Sequence, residues 1–229
     1  MNTLSGPLTL IKRSVSLFFE KKNFTYFFKI QAFLLPLAFI VFAWGLVLTF
    51  GPEKLDQGLS TNPVFLTFST AVGFINSIIY LFVAVASIEG IRRVLGNEAL
   101  SVKGAFLVSK ARVWKYSLTQ VSRGVIIALG FLLLVIPGII FSIWFSFSGI
   151  EVVLNKAGVG EALKKSKSLV KGRFWPVAGR LFVFGLFALF VSILFSTLPL
   201  GIGNLISPVF GVLFLLPSYL LYQELQARA

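Results

Sequence analysis

Catalysis by side chains needs acids, bases or nucleophiles gathered at one place, and this sequence supplies few of them. It contains no cysteine and no histidine, so thiol nucleophiles, imidazole acid–base chemistry, disulfides and the usual zinc sites have no residues to draw on. The 8 acids stand apart as Glu20, Glu53, Asp56, Glu89, Glu98, Glu151, Glu161 and Glu224. Only Glu53 and Asp56 are close neighbours, whereas hydrolysis by paired carboxylates needs two acids facing one substrate. The phosphate-cradling G-x-x-x-x-G-K-[ST], the dinucleotide-binding G-x-G-x-x-G and the G-x-S-x-G nucleophile turn are all missing. The expectation is a protein that is not an enzyme and holds no cofactor or metal.

Transport chemistry has slightly more to work with. Pro36 and Pro217 interrupt apolar runs, Asn76 places an amide within one, and Pro137-Gly138 divides another. Broken helices and polar groups at membrane depth mark many transporter sites. Prolines are nevertheless common in membrane helices, and an amide there often only bonds a neighbouring helix. No carboxylate stands at mid-run to carry a coupling proton or sodium ion. Gly73 with Ser77, and Ser142 with Ser146, have the small-xxx-small spacing that lets helices approach closely, a packing reading.

The elements that must position these residues are membrane spans. The chain is 57% hydrophobic and 13% charged, about half the charged share of a soluble domain, and its mean hydropathy is +0.92. Its apolar residues gather into runs of roughly 20, the length that crosses a hydrocarbon core about 30 Å thick. Spans are expected over about 30–50, 64–88, 118–136, 139–155, 176–198 and 205–222. The third and fourth come from one run of about 34 apolar residues, too long for a single straight crossing. Pro137 and Gly138 are the candidate break; one kinked helix is the alternative. Roughly 27 residues precede the first run with no A-x-A-like cleavage site, so the N-terminus is read as a retained anchor rather than a signal peptide.

Charge then orients the chain. It carries 21 Lys and Arg and a formal charge of +13. With both termini in the cytoplasm, every Lys and Arg except Lys54 falls in a cytoplasmic segment or at a cytoplasmic span end, as the positive-inside bias requires. The basic excess therefore needs no nucleic-acid partner. Its expected partner is the bilayer, with anionic lipid at the cytoplasmic face, and a protein partner is open.

A threefold pattern runs through the single domain, 1–229, in units of approximately 5–90, 101–155 and 158–224. Lys12-Arg13-Ser14-Val15-Ser16-Leu17 matches Lys164-Lys165-Ser166-Lys167-Ser168-Leu169 at a constant offset of 152 residues. Ala105-Phe106 through Arg112-Val113-Trp114 resembles Ala162-Leu163 through Arg173-Phe174-Trp175 with four residues fewer. Each stretch reads as an amphipathic helix: Leu8, Ile11, Val15 and Phe18 share one face, as do Val102, Phe106 and Val113, and Val159, Leu163 and Val170. Such helices either lie in the headgroup region or serve as positive connectors packed on the bundle. On the first reading Lys12, Arg13, Lys110, Arg112, Lys164, Lys165 and Lys167 are the candidate contacts to anionic lipid or a partner.

Each unit also offers one cation and one carboxylate near the membrane boundary. Matching order and depth suggest the pairs Lys29–Glu89, Arg123–Glu151 and Arg180–Glu224, since an unpaired charge near hydrocarbon is costly. Snorkelling of the cations to water is the alternative.

Ile136-Pro137-Gly138-Ile139, Glu161-Ala162-Leu163-Lys164-Lys165-Ser166 and Gly172-Arg173-Phe174-Trp175 resemble the YciC-like bacterial membrane proteins and the membrane domain attached to some glycerophosphodiester phosphodiesterases. The resemblance is specific over about residues 100–185. It implies a six-span domain of the bacterial cytoplasmic membrane; the phosphodiesterase of the fused members is a separate soluble barrel, so no catalytic residue carries over. The combined expectation is all-α: a polytopic protein with six transmembrane helices as three hairpins, each preceded by a basic amphipathic interfacial helix. A non-enzymatic scaffold or accessory protein is the functional expectation, and a small-solute or lipid transporter is the alternative.

Overall fold

The computed structural model describes residues 4–36, 38–40, 43, 62–199 and 202–228. These residues are helical with no strand among them. The main helices are α1 (Pro7–Phe19), α2 (Lys21–Gln31), α3 (Pro63–Leu95), α4 (Val102–Leu133), α5 (Val135–Trp144), α6 (Ser148–Asn155), α7 (Val159–Val170), α8 (Phe174–Ser196), α9 (Ile202–Ile206) and α10 (Gly211–Gln226). Five stretches of the described residues are long and apolar enough to cross a bilayer: Ser69–Leu95, Val102–Leu133, Val135–Asn155, Phe174–Ser196 and Ser207–Gln226. Nearly half of the first expected span, and the turn carrying Glu53, Lys54 and Asp56, lie outside the described residues.

Where the long central run divides differs from the sequence reading. The chain reverses at Leu134, whose extended backbone (φ −164°, ψ 151°) ends α4, and not at Pro137-Gly138. Pro137 instead occupies the first turn of α5. The amide donors there have no acceptor within the helix, so a ring nitrogen costs nothing. The single kinked helix is excluded, because α4 and α5 run side by side in opposite directions. A Cβ added to Gly130 would lie 3.0 Å from Gly138 Cα, and further from the turn Tyr116 lies against Gly149. That approach of two backbones is why both positions at the turn are glycine.

The amphipathic stretches do not repeat as three equivalent helices. In the last unit α7 and α8 are separated at Gly172, whose φ of +80° is open to glycine at no steric cost. In the first unit α1 ends at Glu20 and α2 follows at once. In the middle unit the basic stretch and the span are one unbroken helix of 32 residues, α4. The four residues by which this unit is shorter are those that would hold the turn, so nothing stops the helix. At 1.5 Å per residue α4 is about 48 Å long, enough to cross the hydrocarbon and stand well beyond it.

The packed core sits at the end of the bundle that carries the basic residues. Phe18, Phe27, Phe147, Tyr219 and Tyr222 are fully buried there, with Ile30, Ile91, Leu216 and Leu220. The other end of α3, α4 and α8 presents large apolar side chains outward, among them Phe74, Ile75, Leu132, Leu133, Phe190 and Ile193. This division follows from the two solvents. Lipid tails are as apolar as leucine and give no hydrophobic drive to cover such residues, whereas the charged, amphipathic α1, α2 and α7 bury their apolar stripes against protein.

Those stripes face protein. Helix α1 packs on α10 and α2, and α7 on α6 and α4. The buried line of α1 is Leu10, Ser14 and Phe18, with Leu8 73% exposed, so the expected face is rotated. The buried line of α7 is Ala162, Ser166, Leu169 and Val170. A docking partner, rather than a uniform lipid surface, selects which residues of a broad apolar arc go under.

Candidate functional site

The basic end holds two buried carboxylates and a set of buried hydroxyls, and these form the candidate site. Glu89, on the last turns of α3, is 3% exposed. Arg92 grips it with two bonds, Nη2 to Oε1 at 2.8 Å and Nε to Oε2 at 2.9 Å. Arg93 Nε adds a third at 3.0 Å. Positions three and four apart on a helix are adjacent, so this cluster assembles without help from another element. Arg92 also bonds Glu98, and Arg93 donates to the Ala99 carbonyl, which ties the turn after α3 to its own helix. The Arg92 hydrogen bond holds the Glu98 carboxyl below the usual range. Lys29 is exposed and Glu89 does not pair with it: the nearer cations on α3 satisfy the acid first.

Glu151, at the second station on α6, is 2% exposed and is held by neutral donors. Tyr222 Oη of α10 donates at 3.0 Å and Asn155 Nδ2 at 2.6 Å. The expected ion pair with Arg123 does not form among the described residues; Arg123 is half-buried on α4 beyond Tyr116. Tyrosine brings its own hydrocarbon into the core and needs no countercharge, so it fills a dry position that a guanidinium enters only at a desolvation cost.

At the third station Arg180 and Glu224 do meet, but through main chain. Ser5 N–H donates to Glu224 Oε2 at 2.9 Å, Arg180 Nε donates to Ser5 O at 2.8 Å, and Arg180 Nη2 donates to Leu4 O at 2.7 Å. The segment preceding α1 thus lies between cation and anion and uses both, in place of the direct pair expected.

Three fully buried serines repeat with the units. Ser14, Ser109 and Ser166 are each 0% exposed, each four residues after a buried Leu10, Ala105 or Ala162. Ser14 bonds within its own helix, to Leu10 O. Ser109 reaches Phe82 O on α3 at 3.0 Å. Ser166 donates to Trp144 O at 2.7 Å and accepts from Phe147 N–H at 3.1 Å, closing the three-residue gap between α5 and α6. Reasoning from charge missed these positions. The signal that marks two of them is the serine that survives in both copies of the basic repeat, Lys12-Arg13-Ser14 and Lys164-Lys165-Ser166.

The cations expected to meet lipid are not brought into one cluster. Lys12, Arg13, Lys110 and Lys164 are exposed and Arg112 is half-buried. Lys165 pairs with Glu161 at 2.9 Å, a hydrogen bond that lowers the acid and raises the amine. Lys167 Nζ lies 4.2 Å from the centre of the Trp144 ring, within cation–π range.

Residues 87–223, more than half of the chain, match the family described as Domain of unknown function (DUF7847). The chain belongs to this family. The matched stretch begins on α3 just before Glu89 and ends on α10 after Tyr222, so it contains both buried carboxylates, Ser109 and Ser166. The chain is also similar to a UPF0259 membrane protein of Pectobacterium carotovorum subsp. carotovorum (strain PC1), 32% identical over 107 residues. That match spans 42% of this chain and 42% of the relative. No solved structure matches. Together with its apolar helices, these likenesses place the chain among bacterial multi-pass membrane proteins whose activity is not assigned.

Proposed function

We propose that the protein is a non-enzymatic scaffold or accessory protein of the bacterial cytoplasmic membrane, with its basic end in the cytoplasm against anionic lipid or a partner. The supporting observation is the distribution of packing. Side chains fill and hydrogen-bond the basic end through Phe147, Tyr222, Glu151 and Ser166, while the other end of α3, α4 and α8 turns large apolar side chains outward. A rigid, filled layer at the water boundary suits presentation of a surface; alternating access needs a core that opens. Asn76, the amide singled out for transport, is exposed on α3.

In this reading the apolar run from Ile30 to Phe50 supplies a sixth span, the spans form three hairpins, and both termini are cytoplasmic. Kinship with the YciC-like proteins, on the motifs around Pro137 and Ser166, belongs to the same proposal. The chain has no cysteine, so single cysteines report topology without background. Gly96→Cys and Lys167→Cys are expected to resist an impermeant thiol reagent added to whole cells, and Thr197→Cys to react; labelling of either of the first two overturns the orientation.

Function is tested with the purified chain in liposomes. The expected result is stabilisation by anionic lipid with no saturable flux of small solutes or lipid. A saturable flux that Asn76→Ala or Pro137→Ala abolishes would establish the transporter instead.

A further inference from the structure

The residues at the junction of α7 and α8 line a cleft on the basic surface. Ser168, Leu169, Lys171, Gly172, Arg173 and Arg228 surround it. Three of these are cations and none is an acid. The fold brings them together by two devices. The left-handed turn at Gly172 brings Lys171 and Arg173 into the same lining. Arg173 Nη2 then donates to the Arg228 carbonyl at 2.7 Å, which carries the C-terminal cation, 55 residues away in sequence, to the same spot. A guanidinium has five N–H donors in a planar fork, so this bond leaves Arg173 most of its capacity to grip an oxyanion. Elsewhere on α7, Lys165 is engaged by Glu161 and Lys167 by Trp144, and Lys164 is exposed.

Its level in the bundle is marked by Trp175, two residues beyond Arg173 and 81% exposed. Tryptophan is enriched where hydrocarbon gives way to headgroups, and α8 enters its apolar stretch directly afterwards. A cleft with Arg and Lys at that depth has the charge and donor geometry for phosphate, which guanidinium binds through parallel N–H bonds.

We infer that the cleft formed by Lys171, Arg173 and Arg228 binds a phosphate group, carried by an anionic phospholipid headgroup or free in solution. The lipid source rests on the proposed placement of this end in the cytoplasmic leaflet; the phosphate chemistry does not.

The test uses the full chain, with Trp fluorescence reporting binding of short-chain phosphatidic acid, of phosphatidylcholine and of inorganic phosphate. Lys171→Gln/Arg228→Gln removes two cations and keeps the main-chain carbonyl that Arg173 holds. Lys21→Gln/Lys22→Gln removes the same charge at exposed positions at the start of α2. Phosphatidic acid is expected to bind the first variant about tenfold more weakly than the unaltered chain and the second within about twofold. Lys171→Gln alone, on an exposed side chain, is expected to weaken binding in the same direction with an unchanged unfolding transition. Equal losses in the two double variants would mean diffuse attraction to a basic surface and would overturn the cleft, as would no loss in the first. Inorganic phosphate that binds with the same dependence on Lys171 and Arg228, while phosphatidic acid shows no advantage over phosphatidylcholine, keeps the site and removes the membrane placement.

Discussion

Glu89→Ala is expected to lower the stability of the protein by about 3 kcal/mol, the low end of the cost of breaking a buried ion pair. For a chain of this length that is a fall in thermal midpoint of roughly 6–12 °C. The carboxylate is 3% exposed and accepts three charge-assisted bonds. Its removal leaves Arg93, whose side chain is 18% exposed, with only the Ala99 carbonyl. Arg92 keeps Glu98, which holds the cost at the low end. Glu89→Gln retains an acceptor and loses the charge, so a smaller loss is expected. Lys29→Gln is the decisive comparison. If Glu89 relied on Lys29, that variant would be as damaged as Glu89→Ala; the geometry has it matching the unaltered chain. Tryptophan-monitored unfolding in detergent reads all three, and a Glu89→Ala midpoint within a degree or two of the parent would sink the account.

Ser166→Ala is the second large effect, expected at about 2–4 kcal/mol, because one hydroxyl serves a buried N–H and a partly buried carbonyl, and a buried group left unmet costs about 1–3 kcal/mol. The Trp144 carbonyl and the Phe147 N–H flank the gap between α5 and α6, and Phe147 is 0% exposed, so no water replaces the lost partner. Loss of this clasp also loosens α7, which docks on the same gap. Ser168→Ala, two residues along, removes a hydroxyl that bonds only Lys165 O in its own helix and is expected to change stability by less than about 0.5 kcal/mol. Proteolysis at the α7–α8 turn provides a second readout: faster cleavage near Gly172 in Ser166→Ala, with no change in Ser168→Ala. Equal behaviour of the two variants would show that the clasp contributes nothing.

What was legible in the sequence is what depends on local chemistry repeated along the chain. Runs of apolar residues long enough to cross a bilayer do so in almost any packing, so α8 and the Ser207–Gln226 stretch fall within a few residues of their expected bounds, whereas α4 begins well before its expected start. The recurrence of basic stretches before apolar runs suggested three units. Some of what was misjudged was already within local reach. Glu89 has Arg92 and Arg93 at helical spacing, and proximity along one helix outranks a cation on another helix that must be desolvated to arrive. The unbroken α4 follows from the absence of any residue there that would take the left-handed turn of Gly172.

The rest was decided only by tertiary structure. Nothing in the residues around Glu151 distinguishes Arg123 from Tyr222 as its partner, because Tyr222 arrives on α10 from 71 positions away. Nor does local sequence indicate that the backbone of Leu4 and Ser5 would stand between Arg180 and Glu224. The apolar stripe of α1 was visible as a stripe, yet which line of it is buried depended on where α10 lies. The physical reason is common to all three. Solvent preference is a property of each side chain and can be read one residue at a time, whereas a hydrogen bond in a dry interior goes to whichever compatible group the fold has already brought within 3 Å.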